Sequence, residues 1–247
     1  MRLPTIQGVI RRRLLVNFRV DPDVIQRQLP SRFRPKLLGD SAIAGICLIR
    51  LEEMRPRHLP AGIGVSSESG AHRVAVQWTD EAGVEREGVY IPRRDTSSRV
   101  NRALGGRLFP GQHEPADFEI SDTESGIDFS MRSRDGSAVV RLRGRASTAL
   151  PESSRFRSLA EASSFFEAGS IGYSAGSDDR LDGLRLETTS WRVEPLAVDE
   201  VFSSYFADER HFPPGSVAFD CALIMRDVPH TWHALSPVSR LAMSREP

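Results

Sequence analysis

The chain has 247 residues, a formal net charge of zero and a hydrophobic content of 39%. This length can bury a sizeable core as one large β domain or two small ones, and the balanced charge argues against an electrostatic nucleic-acid binder. The basic residues are 32 arginines and one lysine, Lys36. A mechanism that needs a lysine nucleophile therefore has a single candidate.

Two cysteines, Cys47 and Cys221, lie in apolar runs that are typical of strands. Buried free thiols in a reducing compartment are the default interpretation of such residues. No apolar run approaches the roughly 20 residues of a membrane span, and the N-terminus lacks the features of a signal peptide. We therefore expect a cytoplasmic protein with neither a membrane nor a nucleic acid as its partner.

The N-terminal half predicts strands and one short helix. Residues 9–18 predict a first strand, and Asp21 and Pro22 suit the start of a helix that ends at Pro30. Further strands are predicted at 33–38 and at 41–51, the second of them apolar enough to be buried on both faces. A loop is expected at 53–70, and a hairpin follows at 71–78 and 84–91.

The C-terminal half continues with strands and contains the best helix. A hairpin around Gly126 and an alternating strand at 138–146 precede a helix at 158–168, which Ser158 and Glu161 would cap. A polar loop is expected at 170–183, strands at 184–189, 191–203 and 217–226, and a polar tail from about residue 230. About ten strands without βαβ alternation predict one domain over residues 1–247, a mainly antiparallel sheet or barrel with few peripheral helices.

We expect much of any site in residues 85–113, EREGVYIPRRDTSSRVNRALGGRLFPGQH. A strand there ends at Pro92 and gives way to a polar connection with a short helix-like turn at 99–104. Arginines 93, 94 and 99, with Ser97 nearby, could clamp a carboxylate or phosphate, although Asp95 could equally neutralise one of them. Because position 94 shares its parity with Tyr90, we expect Arg94 to point inward.

Several segments together resemble the acetoacetate-decarboxylase-like β-barrel superfamily, namely ES-GAHRVAVQW, REGVYIPRRDTSSRVN, GGRLFPGQH, FFEAGSIGYS, WRVEPL and FPPGSVAFDCALIM. More narrowly, they are similar to a bacterial branch known only as a domain of unknown function. The resemblance covers most of residues 9–226. It implies a cone-shaped antiparallel barrel that encloses a central cavity, and it implies a homo-oligomer.

The decarboxylase of that superfamily acts through a Schiff base on a lysine that follows a Gly-aromatic-Pro turn. The aligned segment here, LFPGQH at 108–113, contains no lysine, and Lys36 lies far upstream. We therefore do not transfer the nucleophile to this chain. We expect neither Schiff-base decarboxylation nor a bound cofactor.

Gln112 and His113 occupy the region where the resemblance places the reactive group. His113 could act as a general acid or base, or it could be a loop histidine bonded to the backbone. Glu68 and His72 lie four residues apart and would share a strand face if the strand at 71–78 extends back to residue 68. They could then form a carboxylate–imidazole pair or a purely structural hydrogen bond.

Tyr173 and Glu194 could line the cavity, although Tyr173 could equally serve only in packing of the barrel. His230 and His233 are spaced as a helical pair could be, but no acidic or cysteine ligands cluster beside them. We therefore predict no metal site.

Two hypotheses of function follow. In the first, the cavity binds a carboxylate-bearing or carbonyl-containing small molecule, with Arg94 as the anion clamp and Glu68, His72 and His113 as polar or acid/base groups. Its enzymatic version is a lyase or isomerase that enolises its substrate without a lysine. The alternative is a non-catalytic structural or partner-binding oligomeric barrel. Inward-facing Arg, His and Glu would favour a ligand, whereas a plug of Val, Leu and Phe would favour structure.

Overall fold

Thirteen strands and two helices make up the part of the chain that this computed structural model describes, residues 5–98, 111–176 and 179–240. The first strands are β1 (Ile6–Val20), β2 (Arg34–Pro35), β3 (Leu37–Leu38), β4 (Ser41–Pro56), β5 (Val65–Thr79), β6 (Glu85–Thr96) and β7 (Glu114–Thr123). The others are β8 (Gly126–Ser133), β9 (Val139–Ala146), β10 (Ile171–Ala175), β11 (Arg180–Thr188), β12 (Glu194–Ser203) and β13 (Val217–Ser239). The helices are α1 (Pro22–Gln26) and α2 (Leu159–Ala168).

The pairing of the strands closes two rings. The two rings have β13, β1, β4, β5 and β6 in common, and these five strands form the shared wall. One ring runs through β5, β6, β7, β8, β9, β12, β13, β1 and β4 and returns to β5. The other runs through β5, β6, β10, β11, β13, β1 and β4. Pairing is antiparallel throughout both rings except for β6 with β7 and β6 with β10. The prediction of a mainly antiparallel barrel with few helices is confirmed, and the second ring adds to it.

The shared strands present opposite faces to the two rings. Successive side chains of a strand point to opposite sides, so even and odd positions separate. On β1, Leu14 and Val16 belong to a large apolar cluster that also contains Phe129 and Leu142 of β8 and β9. Leu15 belongs instead to a second cluster on the other side of the wall, with residues of α2 and β13. The nine-stranded ring is therefore plugged by apolar side chains.

The helices begin where the sequence predicts. The Asp21 carboxylate accepts hydrogen bonds from the backbone N–H groups of Asp23 and Val24, and the Ser158 hydroxyl accepts one from Glu161 at 3.1 Å. Both caps satisfy donors that have no partner within the first helical turn. No helix in the described part of the chain has the length and hydrophobicity that crossing a membrane requires.

Three segments differ from the sequence-based expectation because strand pairing continues further than local patterns indicate. The loop expected at 53–70 is shorter, since β4 and β5 still pair at Met54 and Val65. The loop expected at 170–183 contains β10, which has partners on both edges. The tail expected from about residue 230 is strand up to Ser239, because β13 pairs with β1 and β11 there. The turn predicted at 99–104 lies outside the described residues.

Candidate functional site

A cavity of about 110 Å³ lies inside the seven-stranded ring. It is bounded by the odd-numbered face of the shared wall, with Arg13 from β1, Cys47 from β4 and Arg73 from β5. Arg94 and His113 lie at the cavity together with residues of β10, β11 and β13. The cavity is therefore built from residues that are distant in sequence and meet only because two strand ladders close on each other.

Arg73 is the most deeply buried of the arginines at the cavity, with 4% of its surface exposed. One of its terminal nitrogens donates a hydrogen bond to the Asn17 side-chain oxygen at 2.6 Å, and the guanidinium lies 4.9 Å from the centre of the Phe166 ring. Its Nε is buried without a hydrogen-bond partner among the described residues. Burial lowers the pKa of Arg73 to about 10, so the group remains a cation at neutral pH.

Arg13 and Arg94 also place their guanidinium groups at this cavity, and each donates a hydrogen bond to a sulfur or hydroxyl group. Arg13 donates from Nε to the Sγ of Cys47 at 3.2 Å. Arg94 donates from Nε to the Ser174 hydroxyl at 2.9 Å. Burial lowers the pKa of Arg94 to about 10 as well, which leaves it charged at neutral pH.

None of these three arginines forms an ion pair among the described residues. One carboxylate, Asp95, does border the cavity, but it is fully buried and its oxygens accept three hydrogen bonds from Arg93 at 2.8–3.2 Å. Burial raises the pKa of Asp95, and the charge of Arg93 opposes that rise. Arg93 therefore neutralises Asp95, and the cavity keeps an excess of positive charge.

His113 contributes a neutral imidazole. Burial, and then the charge of Arg94, lower its pKa to about 3. The remaining wall is largely hydrocarbon, from Ile49, Leu51, Val89, Ile91, Leu184, Leu186 and Trp232. The arrangement therefore combines a cationic region with an apolar wall, which suits a ligand that is anionic at one end.

Arg94 borders the cavity, but the parity argument used to place it there was wrong. Arg94 lines the cavity with Val89 and Ile91, whereas Tyr90 belongs to the apolar cluster of the opposite face. The register between β5 and β6 shifts between His72 and Val74, and this irregularity reverses the alternation of β6.

Glu68 and His72 do share a strand face, but it is the face of the nine-stranded ring, and they do not pair. Glu68 accepts a hydrogen bond from Arg12 at 2.8 Å. His72 bonds through Nε2 to the Ser203 hydroxyl at 3.0 Å, and burial lowers its pKa to about 3. The period of two places both residues across the wall from Arg73.

Two further predicted site residues lie away from the cavity. Tyr173 is buried among the rings of Phe33 and Trp78, in agreement with the packing alternative. Glu194 is exposed and pairs with Arg192 at 3.4 Å, so it does not line the cavity.

Ser97 and Gln112 are both exposed. The Ser97 hydroxyl accepts a hydrogen bond from the Glu68 backbone N–H at 3.0 Å, and it does not border the cavity. Gln112 borders a separate, more open space of about 310 Å³, which Arg94 and Ser174 also line. Only Arg94 and His113 of the predicted residues therefore meet at the cavity itself.

Sequence reasoning missed Arg13, Cys47 and Arg73. One signal existed, since Arg73 stands beside His72 at the start of an otherwise largely apolar strand, in the run HRVAVQW. A charged residue in such a run is either at an exposed edge or at a polar cavity. The sequence could not show that Arg13 faces the same cavity.

The described residues contain no group of three or more His, Cys, Asp or Glu side chains that could hold a metal ion. His230 is buried against Trp232, whereas His233 bonds to Glu187 at 2.8 Å. Both lie on β13, where residues three apart point to opposite faces, so the helical pairing considered for them does not exist.

The comparisons agree with this fold. The model of the DUF2071 family, described as an uncharacterized conserved protein, matches residues 9–222. An acetoacetate decarboxylase-like enzyme from Sphingomonas wittichii superposes with a TM-score of 0.63 at 11% identity, covering 98% of this chain and 95% of that one. Acetoacetate decarboxylase from Legionella pneumophila gives 0.60 at 11% identity, with 95% and 88% covered.

The enduracididine biosynthesis enzyme MppR, in complex with pyruvate, gives a TM-score of 0.57 at 12% identity, with 97% of this chain and 91% of that chain covered. No curated protein sequence matches the chain. The resemblance to the acetoacetate-decarboxylase-like superfamily is thus confirmed at the level of the fold.

Proposed function

The chain belongs to the DUF2071 family, and we propose that it binds a small organic carboxylate in the cavity of the seven-stranded ring. One observation carries this proposal. Arg13, Arg73 and Arg94 border one cavity, and none of them has a carboxylate partner among the described residues.

A buried guanidinium without a counter-ion is unfavourable, because burial removes it from water without a compensating charge. A bound carboxylate would provide that charge and could accept paired hydrogen bonds from a guanidinium. The hydrocarbon wall would bury the rest of the ligand. About 10–15 Å³ suffices for one water-sized group, so a cavity of about 110 Å³ suits a ligand of few heavy atoms.

The structural neighbour that was seen with pyruvate supports the class of short oxo acids. Lys36 does not border this cavity, and its ammonium is bound to Glu87 at 2.8 Å. We therefore favour chemistry without a Schiff base. In its enzymatic version, His113 takes the proton beside the ligand carbonyl while Arg94 holds the developing negative charge. Burial is the main cause of the lowered pKa of His113, and the charge of Arg94 is the second. A carboxylate beside Arg94 would offset that second contribution and so strengthen His113 as a base.

Binding is tested by titration calorimetry with pyruvate and acetoacetate, with methyl pyruvate as the neutral comparison. We expect the acids to bind and the ester to bind at least about tenfold more weakly, since it lacks the charge. Arg73→Gln and Arg94→Gln should abolish binding. Arg145→Gln is the matched control, because Arg145 is exposed and paired with Asp199. Equal affinity for acid and ester would contradict the proposal.

Enolisation is tested separately by exchange of the pyruvate methyl protons in D₂O, followed by NMR. We expect exchange above the solvent rate that is lost in His113→Asn while binding persists. Binding without exchange would leave a non-catalytic carboxylate binder, and the catalytic version would be wrong.

A further inference from the structure

The thiol of Cys47 lies inside the arginine-lined cavity. Cys47 is 8% exposed, borders the cavity, and accepts a hydrogen bond on Sγ from Arg13 Nε at 3.2 Å. The thiolate is the nucleophilic form of cysteine. The contact places a guanidinium donor on the sulfur within the candidate ligand site.

A second observation points to a ligand beside this thiol. Arg73 is more than nine-tenths buried, borders the same cavity and keeps a buried Nε without a partner among the described residues. The nearby carboxylate of Asp95 is bound to Arg93. An anionic group that enters the cavity would therefore meet a cation that has no carboxylate partner among the described residues, and the sulfur with it.

We propose that Cys47 is the nucleophile of this cavity, adding reversibly to the carbonyl carbon of a 2-oxo acid whose carboxylate is held by Arg73 and Arg94. The inference rests on the proposed function, since the arginines orient the acid. In a 2-oxo acid the carbonyl carbon is bonded directly to the carboxylate carbon. Arginines that hold the carboxylate therefore also fix the position of the electrophilic carbon within the cavity.

The step is balanced without a further reagent. The Sγ–C bond forms, the π pair of the carbonyl moves to oxygen, and the proton of the thiol ends on that oxygen. The product is a tetrahedral hemithioketal, and nothing is oxidised or reduced. Such an adduct would hold the oxo acid covalently and reversibly without a lysine. The free carbonyl that enolisation needs returns when the Sγ–C bond breaks.

The other cysteine provides an internal control. Cys221 is fully buried and does not border the cavity. Burial, and then the charge of Asp220, raise its pKa to about 12. Cys221 should therefore stay a neutral, unreactive thiol in the folded protein.

The first test compares iodoacetate with iodoacetamide, which differ by one negative charge. The intact protein is labelled and the modified residue is mapped by mass spectrometry. An ordinary thiol reacts faster with the neutral reagent, but a cationic cavity should concentrate the anion, so we expect iodoacetate to label Cys47 about tenfold faster. Arg94→Gln should reverse this preference, Arg145→Gln should retain it, and Cys221 should remain unlabelled.

The second test uses pyruvate labelled with carbon-13 at C2. We expect a protein-bound tetrahedral carbon resonance that is absent from Cys47→Ser, while calorimetry shows that this variant still binds pyruvate. Faster labelling by iodoacetamide, no labelling of Cys47, or a resonance that persists in Cys47→Ser would each overturn the role of Cys47. If pyruvate still binds in those cases, the proposed function stands; if it does not bind, both fail.

Discussion

Arg94 on β6 donates from Nε to the Ser174 hydroxyl on β10 at 2.9 Å. This bond connects two strands that also pair in parallel, with Val89–Ile91 facing Gly172–Ser174. Ser174 is buried, so its hydroxyl is a fixed partner for the guanidinium. The contact that positions the candidate anion clamp therefore lies beside the strand pairing that closes the seven-stranded ring.

Removing that contact should weaken ligand binding without unfolding the protein. A typical hydrogen bond contributes about 1 kcal/mol, so Ser174→Ala should weaken pyruvate binding about fivefold. Calorimetry provides the measurement. Ser137→Ala is the matched control, because Ser137 accepts a hydrogen bond from Arg93 at 2.7 Å on an exposed site. Equal losses in the two variants would show that Ser174 does not position Arg94 for the ligand.

The pair of Arg93 and Asp95 should matter for stability. Arg93→Gln leaves the fully buried Asp95 carboxylate without its counter-ion, so the free energy of unfolding should fall by about 3 kcal/mol. Urea denaturation near neutral pH measures this. The double variant Arg93→Gln/Asp95→Asn should recover part of the loss.

The control for this pair is Arg134→Gln, which breaks an exposed ion pair with Asp117 at 2.9 Å. Exposed pairs contribute about 1 kcal/mol or less, so this variant should be nearly as stable as the parent. Similar losses in Arg93→Gln and Arg134→Gln would show that burial does not make the Arg93–Asp95 pair more important for stability than an exposed pair.

Three histidines with lowered pKa values, His72, His113 and His230, predict a loss of stability in mild acid. Burial lowers the pKa of His72 and His113 to about 3 and that of His230 to about 4. The unfolded chain protonates its histidines near pH 6.5, so below that value the unfolded state binds more protons and the folded state loses stability. Stability is fully present above the unfolded pKa and falls as the pH decreases toward the folded values.

Each such histidine contributes about 2 kcal/mol of loss between about pH 6.5 and pH 5. Urea denaturation at several pH values should show this decline, and His72→Gln should reduce its slope by the share of one histidine. An unchanged slope in that variant would mean that His72 has the same pKa in the folded and unfolded states.

Lys36 should not form a Schiff base. Its ammonium is bound to Glu87 at 2.8 Å and lies 4.2 Å from the centre of the Phe165 ring, outside the candidate ligand cavity. Borohydride treatment in the presence of pyruvate or acetoacetate should therefore leave the intact mass unchanged. With one lysine, only the N-terminal amine competes, and peptide mapping separates the two. An adduct on Lys36 would show that this lysine forms a Schiff base, and it would contradict the lysine-independent chemistry proposed for the cavity.

Much of the fold was predictable because local sequence patterns specify it. Alternating apolar residues predicted the main strands, and Ser158 with Glu161 predicted the start of α2. Much of any site was expected in segment 85–113, and Arg94 and His113 of that segment both line the cavity. These inferences need only near neighbours in the sequence.

The cavity itself depended on contacts that no local pattern encodes. The short segment IGYSA is a strand only because β6 and β11 lie on its two edges, and without it the second ring would not close. The register shift between His72 and Val74 reverses the alternation of side chains along β6. Arg94 therefore faces the cavity although Tyr90, which has the same parity, faces the other side of the wall.

The sequence by itself determined the strand-rich class, the helix caps and the scarcity of lysine. Tertiary structure alone decided that Arg13, Cys47 and Arg73 share one side of the wall while Glu68 and His72 lie on the other. The physical reason is the two-residue period of strands. This period assigns each side chain to one face of its strand, but the pairing of distant strands determines what that face packs against.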